Sequence, residues 1–572
     1  MKHTLSLWQK ITLILSFNIF LIIQAYPQTF EERVDLYISS FPKHEEFQGV
    51  ILAAVEGKIV FHKGYGFSSR EYCIPNGPDT KFQVGSISKA FAGIMVMKMV
   101  EKGLIDLDRT ICDYLPFYPE NPGKKITIHH LLSHSSGIPH HYIAVPDYWK
   151  RHDKVFHTPK ELLELFSHIP LAHDPGEQFT YSSPGFYILG AILEKVGKKC
   201  YAELLREYIF NPLGMKNTLV ENNRSVQRGM ATGYMRGLTG LIRAGFEDKS
   251  TALAAGDLVS TAYDLFLWDK GMKAVPEKIL TAGSKKRLYE EIFPGHVMTY
   301  GGPVLKIPYD EGRKILTLNR LSGSSTGYMA AMDRIYDPDA CVIVLSNVQD
   351  TETMIIVDHI SDFLLRQHIG LHIGSPAPPT LTLPPAADVS SKDIEKIIGF
   401  YRHPNGSISG VLRDGGKLYL LRYSKGDFAQ RALQLVPESP DVFALGYRTN
   451  MKCQFARDEK DGVLTLTTVR NGHPASVAKK IEAKKLNLSE YDGFYTSVEL
   501  QETFRFSETS FGISAENFLA KTSVRMVCLE KDLFGFDFGF VEFMRYSDGT
   551  ILGFKLVIKD VDLYMGSKFI KL

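Results

Sequence analysis

Apolar residues run in short unbroken stretches at both ends of the first 370 residues, and recur with helical spacing between them. Residues 50–55 and 58–62 are β-branched and apolar and meet at Glu56 and Gly57, which predicts a β-hairpin. Residues 328–332 and 341–345 predict two more strands, separated by a turn at Asp337, Pro338 and Asp339. Residues 90–100 are apolar almost throughout and Gly103 comes soon after, so a helix buried on nearly every face is expected there. A second helical pattern starts at Pro184, passes through Tyr187, Leu189, Ile192 and Leu193, and stops at Gly197. A third covers 353–366. Strands at both ends with helices between predict an α+β domain: one antiparallel sheet built from the two chain ends, beside a helical region.

Beyond residue 370 the pattern changes. Residues 374–385 hold five prolines in twelve positions, and proline fixes φ and removes backbone donors, so 374–390 reads as an extended linker. The remainder of the chain is β-rich and repeats itself. Gly399-Phe400-Tyr401 returns as Gly493-Phe494-Tyr495, and the segment from Phe455 to Gly462 is echoed from Phe543 to Gly549. Alternating apolar residues come after each echo, so two small antiparallel β-barrel-like units are expected, at 391–482 and 483–572. The α+β domain then occupies 26–373.

The N-terminus narrows the setting. Lys2 and Lys10 precede an apolar run at 11–23, and Gln24 and Ala25 come directly after it. That is the layout of a signal peptide over 1–25, cut near Ala25, with an uncleaved anchor as the alternative. A periplasmic or secreted protein is expected, with no transmembrane helix once the leader is removed. The net charge of +2, without long runs of one sign, gives no reason to expect a nucleic-acid partner. The six cysteines lie far apart with no CxxC pair, so neither a zinc site nor a small disulfide scaffold is suggested.

Candidate chemistry centres on Ser86 and Lys89. Ser-x-x-Lys spacing also occurs at Ser40 and Ser476, but only Ser86 heads the apolar helix. There Lys89 falls on the same helical face, and the Ser86 backbone N–H is one of the unpaired donors of a helix start. A serine hydroxyl needs a nearby base to become a nucleophile, and desolvation favours the neutral, basic form of a lysine. The plain alternative is a helix cap with a solvated lysine. Tyr181, just before the helix that begins near Pro184, is placed where a phenol projects into a cleft and shuttles a proton.

The order Ser86-x-x-Lys89, Tyr181-Ser182-Ser183 and Leu321-Ser322-Gly323 resembles the three-motif scheme of class C serine β-lactamases and the penicillin-binding protein family. That group includes D-alanyl-D-alanine carboxypeptidases, D-aminopeptidases and esterases. Segments 131–138, 211–215 and 255–262 agree, and the resemblance covers roughly residues 30–370. The C-terminal units resemble the accessory barrels of the D-aminopeptidase branch. The resemblance implies a β-lactamase/transpeptidase-like fold and an acyl-enzyme at Ser86, with Lys89 and Tyr181 as the coupled base. It also implies an oxyanion site between the N–H groups of Ser86 and Ser324, with Ser183, Ser322, Gly323 and Ser324 lining the substrate. No cofactor is implied, and the substrate would be a small molecule or peptidoglycan-like.

Two departures stand out. The second motif of that family ends in Asn, where this chain has Ser183, whose hydroxyl offers only part of an amide's hydrogen bonding. The third begins with Lys or His, where this chain has Leu321; Arg320 is adjacent but should point to the opposite face of its strand. Weak recognition of penicillin-like carboxylates is therefore expected. Two rival readings stand beside this one. His130 and His134 have a workable zinc spacing, although a histidine-rich surface accounts for His129, His130, His134, His140 and His141 more simply. A non-catalytic cell-wall or partner-binding protein on an inherited fold would explain Ser183 and Leu321, but not the retention of Ser86, Lys89 and Tyr181.

Overall fold

The computed structural model describes residues 29–41, 47–140, 145, 152–237, 240–292, 297–309, 314–349, 351–370 and, with short gaps, 389–571. The expected leader and the proline-rich stretch up to 388 lie outside the described residues. No described helix is long and apolar enough to cross a membrane.

A seven-stranded antiparallel sheet organises the first part of the chain. Its strands are β1 (Gly49–Val55), β2 (Lys58–Tyr65), β3 (Met298–Thr299), β4 (Gly302–Tyr309), β5 (Lys314–Ser325), β6 (Tyr328–Asp337) and β7 (Ala340–Ser346). They lie in the order β3-β4-β5-β6-β7-β1-β2, so the two chain ends do meet, at β7 and β1. The β1–β2 turn fits its residues: Glu56 and Gly57 both have positive φ, 50° and 67°, as a two-residue turn between right-twisted strands requires.

The runs look unbroken because the sheet is covered on both faces. Val50, Leu52 and Ala54 of β1 and Cys341, Ile343 and Leu345 of β7 face one core, on the helical side. Ile51 and Ala53, with Ala340, Val342 and Val344, face the other. That second core is closed by helices α1 (Phe30–Ser39) and α5 (Thr353–Ile369). On the helical side lie α2 (Ser88–Glu101), α3 (Ser183–Gly197) and α4 (Ala262–Lys273). Helix α2 buries Phe91, Ile94, Met95, Val96 and Met97, and Phe91 packs on Trp268 of α4 with ring centroids 4.5 Å apart. It is the central post of the domain. The left-handed cap that closes α3 is not a glycine but Lys198, one residue past Gly197.

In the C-terminal part, strands from Gly399–Arg402 to His473–Lys480 pair in sequence order, and the first pairs with the last through Tyr401 and Lys480. A second set, from Gly493–Ser497 to Lys568–Lys571, does the same through Tyr495 and Lys571.

Candidate active site

The stretch from Gly85 to Ile87 is a single tight turn leading into α2. It is pressed against an open strand edge. Strand β4 pairs with β5 only as far as Asn319, so residues 320–325 keep one edge free for the Ser86 turn. The approach is backbone to backbone. A Cβ at Gly323 would lie 2.0 Å from the Val84 oxygen and 2.7 Å from the Ser86 nitrogen; one at Gly85, where φ is +51°, would lie 2.4 Å from the Ser324 oxygen. Only glycine fits on either side. Ser88 anchors the turn from behind: its hydroxyl donates to the Gly85 carbonyl at 2.7 Å and accepts the Leu258 N–H at 3.1 Å.

Two donors converge on the Ser86 hydroxyl. Lys89 Nζ reaches Ser86 Oγ at 3.1 Å and Tyr181 OH reaches it at 2.9 Å. Lys89 is 7 % exposed, donates to the Ala255 carbonyl at 2.8 Å, and sits 5.0 Å from the Tyr181 ring centroid and 5.7 Å from that of Phe186. The Ala255 carbonyl is presented by a turn in which Ala254 has φ +59° and donates its N–H to Asp257 Oδ2 at 2.9 Å. Asp257 is fully buried. Burial pushes its carboxyl up to about 7, against the opposing pull of the Ala254 and Asp257 backbone N–H groups and of the Lys249 and Lys89 charges.

Of the histidines expected at the surface, His134 lies in the core instead, His129, His130 and His140 are half-buried, and His141 lies outside the described residues. His134 is only 2 % exposed, accepts the Ser182 N–H on Nδ1 at 3.0 Å and stacks on Tyr181 at 4.5 Å. The His140 ring lies nearly parallel to that of Tyr181, at 6.1 Å, with Nε2 3.4 Å from Ser183 Oγ. The run 129–141 carries no signal of this, because both contacts depend on a loop more than forty residues away. His130 Nδ1 accepts the Thr127 N–H instead, so His130 and His134 face different partners. Among the described residues, no three His, Cys, Asp or Glu side chains are grouped to hold a metal ion.

Both imidazoles, the buried His134 and the half-buried His140, are held neutral. Burial first, then the Lys89 charge, lowers His134 to about 3 and His140 to about 4. Below their ordinary value of 6.5 the unfolded chain binds two protons that the folded chain refuses, so stability is lost as pH falls through this window. Asp257 works the other way: folded, it takes its proton near 7, so its contribution is lost as pH rises toward 7. Two groups against one leave a net loss toward acid. The melting temperature should fall between about pH 6.5 and about pH 4.5, and His134→Gln should flatten that slope. An unchanged slope in the variant would show that His134 does not set it.

Ser182 caps α3, accepting the Gly185 N–H at 3.3 Å, and Ser183 is the first residue of that helix. Ser322 and Ser324 are exposed on β5. Leu321 is 4 % exposed and belongs to the helical-side core. Arg320 faces away as expected, held by both oxygens of Asp333 at 2.7 Å and by Asp358 of α5 at 2.8 Å. A buried ion pair at the end of this strand has no counterpart among the sequence expectations. There Lys249 Nζ contacts Glu247 at 2.9 Å and Ser325 Oγ at 2.6 Å, and Ser325 Oγ reaches Gln83 at 2.6 Å. The pair ties the strand to the segment entering the Ser86 turn.

A sheet with this order beside a buried helix headed by Ser86 is a β-lactamase/transpeptidase-type fold. The chain belongs to the beta-lactamase family, whose model matches residues 34–366. Penicillin-binding protein 4* of Bacillus subtilis (strain 168) is 27% identical over 427 residues, covering 70% of this chain and 88% of that protein. Protein flp of Staphylococcus aureus (strain MW2) is 27% identical over 233 residues, 40% of this chain and 46% of that protein, so less than half of that relative is spanned. Among solved structures, the octameric penicillin-binding protein homologue from Pyrococcus abyssi superposes with a TM-score of 0.54 at 25% identity, over 78% of this chain and 99% of that one.

Proposed function

We propose that the chain is an exported serine hydrolase that forms an acyl-enzyme at Ser86 and acts on esters or amides lacking a free carboxylate beside the scissile bond. The observation that carries this is the convergence of Lys89 Nζ and Tyr181 OH on Ser86 Oγ. In the attacking state Ser86 gives its proton to this pair as Oγ bonds to the carbonyl carbon. The carbonyl oxygen takes the negative charge between the N–H groups of Ser86 and Ser324. Tyr181 returns the proton to the departing oxygen or nitrogen, and water then releases the acyl group.

The preference for neutral substrates comes from where the cations are. Leu321 brings none, Arg320 is engaged by Asp333 and Asp358 on the other face, and Lys249 by Glu247. A substrate carboxylate at the strand would find none of these three positions offering a charge. The relatives named as penicillin-binding support the acyl-enzyme step itself.

Export rests on the leader-like residues 1–25, with the hydrolase domain at 26–373 and a linker at 374–390. We read the two C-terminal strand sets as copies of one barrel-like unit. Their Gly-Phe-Tyr first strands pair with their last strands at corresponding tyrosines, and Phe455 and Phe543 both lie on the sixth strand of a set.

The test is to incubate the protein with a fluorophosphonate and, separately, with a fluorescent penicillin, and to locate adducts by mass spectrometry. A Ser86 adduct with the fluorophosphonate and little with the penicillin is the expected result. Equal labelling would remove the argument from Leu321, and labelling by neither would favour a binding protein on an inherited fold.

A further inference from the structure

Asp257 is a buried titratable group that takes no part in the acyl-transfer steps. It closes a short turn: its Oδ2 accepts the Ala254 N–H at 2.9 Å, three residues back along the chain. That turn is not one its residues adopt freely. Ala254 has φ +59°, in the left-handed region that a Cβ disfavours, and its methyl lies against α3 at Gly190, where a Cβ would come within 3.1 Å of it. The next carbonyl, that of Ala255, accepts from Lys89 Nζ at 2.8 Å, and Lys89 in turn reaches Ser86 Oγ at 3.1 Å. One residue past Asp257, Leu258 donates its N–H to Ser88 Oγ and accepts the Val84 N–H on its carbonyl at 3.0 Å. Residues 254–258 thus form a bracket around the start of α2, and the Asp257 carboxyl ties the bracket together. Its other oxygen, Oδ1, is buried without a hydrogen-bond partner among the described residues. An unpaired buried oxygen costs stability, which points to a group that serves the site rather than the fold.

We propose that Asp257 is a positioning residue for Lys89: it holds the Ala254 turn so that the Ala255 carbonyl aims the lysine at Ser86. The proposal rests on the acyl-enzyme reading above. Lysine is a point donor on a flexible stem, so its acceptors set the direction of Nζ. One of the two hydrogen bonds Lys89 makes is to the hydroxyl it activates, which leaves the Ala255 carbonyl to fix its aim. A carbonyl displaced by about 1 Å would carry the nitrogen off line, and misplacement on that scale costs on the order of 10²-fold in rate. What the turn needs from residue 257 is an acceptor, not a charge. An Asp protonated on Oδ1 still accepts through Oδ2, and an Asn offers an equivalent carbonyl oxygen. The bond to Ala254 therefore survives as the carboxyl, pushed up by burial to about 7, gains or loses its proton near neutral pH. Leucine has a similar shape and no acceptor, so it would leave the Ala254 N–H unpaired and the left-handed turn unsupported.

The experiment follows the saturation kinetics of a fluorophosphonate on the full chain, with the adduct located by mass spectrometry. Ser86 Oγ bonds to phosphorus, fluoride leaves, and the serine proton passes to the Lys89 and Tyr181 pair. The limiting rate therefore reports activation of the nucleophile, and the half-saturating concentration reports binding. Asp257→Leu should lower the limiting rate roughly thirtyfold, with the half-saturating concentration within about twofold of wild type. A general loosening of the site would raise that concentration as well. Asp257→Asn, which keeps the acceptor, should stay within about threefold of the wild-type rate. Equal rates in the wild type and Asp257→Leu overturn the proposal and leave the acyl-enzyme reading standing. A slow Asp257→Asn protein of wild-type melting temperature overturns it too, since the charge and not the turn would then matter. A wild-type protein that forms no Ser86 adduct sinks the acyl-enzyme reading and this proposal with it. Asp257→Ala is the second acceptor-free variant should Asp257→Leu not fold, and if neither folds the Asp257→Asn rate alone decides.

Discussion

Ser86→Ala is expected to lower kcat/KM on the best ester found by at least about 10⁴-fold, the scale seen when a nucleophile that works with its base as a unit is removed. The melting temperature should stay close to wild type, and the fluorophosphonate adduct should vanish from the intact-mass spectrum. The reason is local. Ser86 Oγ is the atom on which Lys89 Nζ and Tyr181 OH both bear, at 3.1 and 2.9 Å, and no other described hydroxyl receives that pair. Lys89 keeps its bond to the Ala255 carbonyl when the hydroxyl goes, and stays packed against Tyr181 and Phe186, so the fold has no cause to respond. Retained turnover in a folded Ser86→Ala protein would place the nucleophile elsewhere and sink the acyl-enzyme reading.

How much of the molecule is legible in its sequence depends on whether a feature is local. The β1–β2 turn is legible because Glu56 and Gly57 supply the required backbone between two apolar runs. The face shared by Ser86 and Lys89 is legible because a helical turn sets it, and the position of Tyr181 because a helix start comes right after it. The opposite direction of Arg320 is given by strand alternation alone. The hidden features are long-range. The Ala255 carbonyl that holds Lys89 lies 166 residues further along, and the contacts of His134 and His140 with the Tyr181 loop span 48 and 43 residues. A histidine stacked under a tyrosine and one on a wet surface have the same neighbours in sequence, so the run 129–141 reads as surface. Strands β3 and β4 are illegible for a different reason: Gly301, in the turn between them, and Gly302 and Pro303, which open β4, are loop-forming residue types, and only the pairing of β4 with β3 and β5 makes the segment sheet.

The second large effect lies away from any reacting side chain. Gly323→Ala is expected to lower kcat by about 10³-fold, the upper range for losing one oxyanion donor, with only a modest fall in melting temperature. The added methyl would sit 2.0 Å from the Val84 oxygen and 2.7 Å from the Ser86 nitrogen, both backbone atoms that no rotamer change can move aside. One of the two chains must shift. Strand β5 is held on its other edge by β6, with Gly323 opposite Ala330, so the Ser86 turn is the part that gives way. That displaces the Ser86 N–H relative to Ser324, and a misplacement of about 1 Å at such a site costs on the order of 10²-fold before the lost hydrogen bond is counted. Gly77→Ala is the control, since a Cβ there meets nothing within 4 Å. A Gly323→Ala protein with near-wild-type kcat would mean that the strand edge beside Ser86 does not hold the oxyanion, and the donor pair would have to be sought off this strand.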